Sequence, residues 1–178
     1  SYVRCAYDTR HVNNNSLLIS SLRQDYDYTG DLDYLASQIT RARKAMNFYM
    51  QMYDPVRHLN DQRYLTGHDS NKTSQYKHDI TAMSLGNGYW DITFMPEFDF
   101  HTNMYFYKAL VDLAYLEGIL EANNIVVDKA DATVRTADRQ YGHAPSEYRW
   151  TKEDLASIAN AVVTELRKPI NNADKTGF

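Results

Sequence analysis

The sequence predicts a mainly α-helical protein built of stacked helical hairpins. Four segments repeat apolar residues at spacings of three and four, and no segment sustains an apolar alternation of period two. At 178 residues the chain has the length of one domain and can bury a sizeable core. A single α-helical domain over residues 1–178 is therefore expected.

The first helix is expected from Ser16 to about Tyr26, on Leu17, Leu18, Ile19 and Leu22. Tyr28-Thr29-Gly30 makes a turn, and Asp31 caps the strongest periodic stripe of the chain. That stripe is Leu32, Leu35, Ile39, Ala42, Met46, Tyr49 and Tyr53, closed by Pro55. Arg41, Arg43, Lys44 and Gln51 fall off it and are expected to face water. The two helices form a hairpin.

From Thr102 to about Asn123 the pattern is apolar on nearly every face, as in a helix enclosed by others. Four helices leave part of that surface bare, so self-association, or cover from a partner chain, is expected. Thr151-Lys152-Glu153-Asp154 reads as a capping box with Asp in place of Glu or Gln. Leu155, Ile158, Ala159, Val162, Val163 and Leu166 carry the helix it opens, and Pro169 lies beyond. Two long connections remain, at about 54–101 and 124–150, a length uncommon in a compact domain unless functional. They admit one or two short strands, around Tyr64-Leu65 and from Tyr89 to Phe94.

The net charge of −4, with no block of Lys or Arg, argues against a nucleic-acid partner. No run approaches the length of a membrane span, so no membrane partner is expected. The lone Cys5 excludes an internal disulfide framework and a multi-cysteine zinc site. The expected location is the bacterial periplasm or the extracellular space, and a single cysteine is also compatible with the cytoplasm. Neither an initiator Met nor a signal peptide is present, and the chain stops at Lys175-Thr176-Gly177-Phe178, so both ends read as cuts in a longer polypeptide.

Fifteen Tyr against 6 Phe and 2 Trp is a surplus that suits polar, ring-shaped ligands, because the phenol joins an apolar face to a hydroxyl. The stretch Gly86-Asn87-Gly88-Tyr89-Trp90-Asp91 through Glu97-Phe98-Asp99-Phe100 concentrates the same chemistry. Aromatic faces stack on sugar C–H surfaces, and carboxylates take hydroxyls or serve as the acid pair of glycoside hydrolysis. Asp91, Glu97 and Asp99 are the candidate catalytic acids. Trp90 and Tyr89 are the candidate stacking rings, and His68 and Asp69 complete the substrate-binding set. Asp91, beside the ring, suits positioning; Glu97 or Asp99 suits acid or base work, with Phe98 or Phe100 raising its pKa by burial. No cofactor is called for.

Two metal readings compete. Asp25 through Asp33 imitates an EF-hand loop, but Ala36 stands where the bidentate Glu belongs, and Asp31 as cap with Gly30 as turn explains the pattern. His68-Asp69 and His78-Asp79 resemble the pairs of HD-type phosphohydrolases, where the pair sits on a helix; Gly67 and Ser70-Asn71 place the first pair here in a loop. No metal ligand is assigned.

The runs Tyr28-Thr29-Gly30-Asp31-Leu32-Asp33-Tyr34-Leu35, Leu65-Thr66-Gly67-His68-Asp69 and Gly88-Tyr89-Trp90-Asp91 resemble six-hairpin glycosidases. So does Asn103-Met104-Tyr105-Phe106-Tyr107-Lys108-Ala109-Leu110 leading into Leu113-Ala114. These are the (α/α)6-toroid enzymes, including the α-L-rhamnosidase-like families. The resemblance spans about 15–125 and, more weakly, 150–170. It implies a carbohydrate partner, glycosidic-bond hydrolysis by paired carboxylates, and a Gly- and Trp-bearing loop before an aromatic-rich inner helix. A toroid needs six hairpins, so this chain is expected to be part of one, associated with the remainder or with itself. The Arg- and Glu-rich acid motif of rhamnosidases is absent. The rivals are a non-catalytic carbohydrate-binding or structural helical module and an HD-type phosphohydrolase.

Overall fold

The structure, a computed structural model, describes residues 13–50, 52–60, 98, 100–133 and 147–168. It is mainly α-helical: the described residues form four helices and one two-stranded antiparallel ribbon. In chain order these are α1 (Asn13–Thr29), α2 (Leu32–Met50), β1 (Tyr53–Asp54), β2 (Leu59–Asn60), α3 (Phe100–Ala122) and α4 (Lys152–Leu166). One 3-10 turn, Ala130–Ala132, lies between α3 and α4.

Helix α1 is already formed at Asn13, three residues before the expected start, and its inner face is partly polar. Asn13, Ser16, Ile19 and Leu22 are its buried residues, spaced by three. Leu17 and Leu18, counted as core from sequence, are 49% and 44% exposed. A helix turns about 100° per residue, so of three consecutive apolar residues only Ile19 faces inward. Gly30, at φ 65°, ends α1 by donating its N–H to the Tyr26 carbonyl at 2.8 Å. Asp31 then caps α2, its Oδ1 accepting the Tyr34 N–H at 2.8 Å, as the sequence predicts.

Leu35, Ile39, Ala42, Met46 and Tyr49 form the buried stripe of α2. Two expectations for this helix need correction. Tyr53 lies in β1: Asp54 Oδ1 accepts the N–H groups of Val56 and Arg57 at 2.8 and 3.2 Å and turns the chain around Pro55, with His58 at φ 56°. The Tyr53 ring still reaches the core, 5.9 Å from Phe106. Arg43, expected to face water, is only 3% exposed and lies among the core residues. The strands expected around Tyr64-Leu65 and from Tyr89 to Phe94 lie outside the described residues.

Helix α3 is the centre of the assembly and touches α1, α2, α4 and β2. It runs antiparallel to α2, since Tyr49 meets Phe106 (5.4 Å between rings) while Arg43, nearer the start of α2, meets Glu117. Phe106, Ala109, Leu110, Leu113 and Leu116 are fully enclosed. Met104 and Tyr115 remain 41% and 38% exposed on the same helix. α3 ends in a Schellman motif: Ile125 N–H to Leu120 O at 2.9 Å and Asn124 N–H to Glu121 O at 3.0 Å. Asn124 takes the left-handed position, at φ 55°, that glycine usually fills.

Helix α4 opens with the capping box read from sequence. Thr151 Oγ1 accepts the Asp154 N–H at 3.1 Å, and Asp154 Oδ2 accepts the Thr151 N–H at 2.9 Å. Thr151→Ala is expected to lower stability by about 1 kcal/mol in urea unfolding. The Asp154 carboxylate is held below its ordinary range, first by the Thr151 backbone N–H and then by the Thr151 hydroxyl. A depressed pKa adds stability above the unfolded value, and that stability is lost as pH falls through the folded one. The Thr151 amide resonance is therefore expected to move below about pH 4, where unfolded Asp titrates, while staying flat between neutrality and pH 5.

Candidate functional site

Every site residue proposed from sequence lies outside the described residues: His68, Asp69, Tyr89, Trp90, Asp91, Glu97 and Asp99. The same holds for His78-Asp79. The structure does describe the residues that bracket the 61–97 segment. Asn60 ends β2, and Phe98 is buried with the Arg57 guanidinium 4.9 Å over its ring. Of the remaining histidines near this region, His58 Nδ1 lies 3.0 Å from the Tyr53 hydroxyl, and His101 meets Tyr105 edge-on at 4.9 Å. Among the described residues no three His, Cys, Asp or Glu side chains are grouped to hold a metal ion.

The start of α1, the end of α2, the ribbon and the start of α3 meet at one end of the bundle, and a buried polar network joins them. The Asn103 side chain grips both main-chain groups of Asn60, accepting its N–H at 2.6 Å and donating to its carbonyl at 3.2 Å. Asn60 Nδ2 donates to the Tyr49 carbonyl at 2.8 Å, and the Tyr49 and Ser16 hydroxyls are 2.5 Å apart. All four residues are at most 1% exposed. A satisfied buried network fixes geometry more sharply than apolar packing, because any slip strands a desolvated polar group. Here it fixes the point at which the chain leaves toward the candidate acids.

The opposite end carries an open cavity of about 440 Å³ between the end of α3, the stretch after it and the start of α4. Its floor is the Arg43–Glu117 pair. Arg43 donates from Nε to Glu117 Oε1 at 2.7 Å and from Nη2 to Oε2 at 2.8 Å, while Nη1 reaches the Val127 carbonyl at 2.8 Å. The Tyr148 hydroxyl donates to Glu117 Oε1 at 3.2 Å. Burial, followed by the negative charge of Glu117, pushes the Tyr148 phenol far above its ordinary pKa, so it stays a neutral donor. Lys129 Nζ donates to the Trp150 carbonyl at 2.8 Å and lies 5.7 Å over the Tyr148 ring. At the rim Lys152 pairs with Glu121 at 2.6 Å and with Glu153 at 3.6 Å. A bidentate ion pair, 4% and 9% exposed, is a clamp that ties α2 to α3.

Between the two ends, Asp112 is fully buried on α3 and accepts from Ser20 Oγ at 2.6 Å, Arg23 Nη1 at 2.7 Å and Lys108 Nζ. The bond to Asp112 raises the Arg23 pKa above its ordinary value. The sequence analysis does not single out Asp112, Glu117 or Tyr148, and it places Arg43 on the water-facing side of its helix. A signal was present: three acids, Asp112, Glu117 and Glu121, interrupt a helix apolar on nearly every face, and any that are buried demand cations from other elements.

The chain matches no protein-family model, no curated protein and no solved structure. No described helix is long and apolar enough to cross a membrane.

Proposed function

We propose that the chain is a carbohydrate-active helical domain, part of an (α/α)6-type glycosidase in which the 61–99 segment supplies the sugar-facing acids and rings. The observation that carries this reading is the polar network of Ser16, Tyr49, Asn60 and Asn103 at the end of the bundle from which that segment departs. An acid placed for catalysis needs a support held to fractions of an ångström, and a satisfied network on rigid helices is such a support. Hairpin stacking adds to it: α1 and α2 run antiparallel through the Thr29-Gly30-Asp31 turn, and α4 starts beside the last turns of α3. In this role Trp90 and Tyr89 stack on the sugar, with His68, Asp69 and Asp91 holding its hydroxyls. Glu97 or Asp99 provides the acid or base that this segment contributes.

Hydrolysis of a panel of aryl glycosides, by this chain and by any longer polypeptide containing it, tests the reading. Asp91→Asn, Glu97→Gln and Asp99→Asn are made singly. At least one substitution is expected to lower kcat/KM by about 10²-fold or more, the usual scale for losing a general acid or base. Near-parental activity in all three, or no turnover of any glycoside, refutes the proposal.

A further inference from the structure

The cavity at the far end of the bundle is not needed by the reading above, and its lining is unusual in being charged yet balanced. Three cations, Arg43, Lys129 and Lys152, face three carboxylates, Glu117, Glu121 and Glu153. Their charges cancel, so neither an anion nor a cation gains a net field on entering. Hydrogen-bonding capacity is nevertheless left over. A guanidinium has five N–H donors, and Arg43 engages three of them in its bonds to Glu117 and Val127. Lys129 makes one hydrogen bond, to Trp150, with an ammonium that can make three. At the rim the Glu121 and Glu153 carboxylates are 65% and 70% exposed, with Lys152 between them. Each keeps acceptor capacity beyond that one cation.

The remaining wall is apolar, made by Leu120, Ile125 and Val127, with Asn124 beside it. The volume, about 440 Å³, falls in the range of small-molecule sites. A ligand that fits must be small and uncharged, must both donate and accept hydrogen bonds, and must carry C–H surface for the apolar wall. We infer that this cavity is a second binding site, for a neutral hydroxyl-rich ligand of the monosaccharide class, separate from the segment that bears the candidate catalytic acids. Only the choice of sugars as probes rests on the proposed function; the balance of charge and the unengaged donors stand on the geometry.

Binding is measured on the full chain by amide chemical shifts during titration with free glucose, galactose and rhamnose, and separately with inorganic phosphate. The variant is Asn124→Gly combined with Lys152→Met. Glycine keeps the left-handed backbone at 124 and removes the carboxamide, and Met keeps the stem of residue 152 without its charge. At least one sugar is expected to bind saturably with a Kd on the millimolar scale, shifting amides of 120–127 and 151–153. The double variant is expected to weaken binding about tenfold, or about 1.4 kcal/mol, with unchanged far-ultraviolet circular dichroism. No saturable sugar binding overturns the inference. So does binding that the double variant leaves intact, or phosphate binding in place of sugar. Glycoside hydrolysis is read in parallel: hydrolysis by the unaltered chain without saturable cavity binding counts against this site alone. Cavity binding without hydrolysis of any glycoside counts against the proposed function alone.

Discussion

Glu117→Leu is expected to cost about 3–5 kcal/mol, the scale for removing one partner of a buried ion pair. Arg43 is 3% exposed, and the Glu117 carboxylate answers its charge through two parallel bonds of 2.7 and 2.8 Å. Without that carboxylate the guanidinium keeps only the Val127 carbonyl, and Tyr148 loses its acceptor. The loss is comparable to the whole stability of many domains, so a large fall in the urea midpoint is predicted. Arg43→Met with Glu117→Leu is expected to recover most of it, because the desolvation cost of both charges disappears together. A single substitution costing under about 1 kcal/mol would show the pair to behave as a surface contact, and the clamp would be refuted.

The second large effect is expected at Phe106→Ala, about 3–5 kcal/mol from lost burial and the cavity left behind. Phe106 is fully buried at the middle of the contacts among α2, β1 and α3, with Tyr49 and Tyr53 ring centroids at 5.4 and 5.9 Å. Neither ring can fill the gap freely: the Tyr49 hydroxyl is tied to Ser16, and that of Tyr53 faces His58. Phe106→Leu retains most of the apolar volume and is expected to cost less than half as much. Equal unfolding midpoints for the two variants would count against this account.

Helix positions were legible in the sequence wherever apolar spacing, a cap and a terminator agreed. The Gly30-Asp31 turn and the Thr151–Asp154 capping box are where they were expected, since each is a local pattern with a local cause. Less was legible where polar side chains form the inner face. Asn13 and Ser16 extend α1 beyond its apolar residues, and Arg43 lies in the core because its partner is 74 positions away. Apolar counting cannot see that a charge will be answered by a distant helix. It also overcounted Leu17 and Leu18, where adjacency was mistaken for a shared face. Of the candidate site, residue types and their concentration between Gly86 and Phe100 were legible; separations between acids depend on contacts remote in sequence.

A helix that is apolar on nearly all sides has a problem of addressing. Rotated by a third of a turn or slid by one, α3 would still present leucine and alanine to its neighbours, at little change in transfer free energy. Three polar residues remove that degeneracy, and each names a different neighbour. Among the described residues Asn103 is bonded to the end of β2, Asp112 to Ser20 and Arg23 of α1 together with Lys108, and Glu117 to Arg43 of α2 with Tyr148. Like the wards of a lock, they add little to the strength of the closure and choose which setting closes. Replacing all three together with their charged partners by apolar residues would therefore raise the number of well-packed arrangements, and the gap between the native arrangement and its nearest competitors would shrink even where overall stability did not.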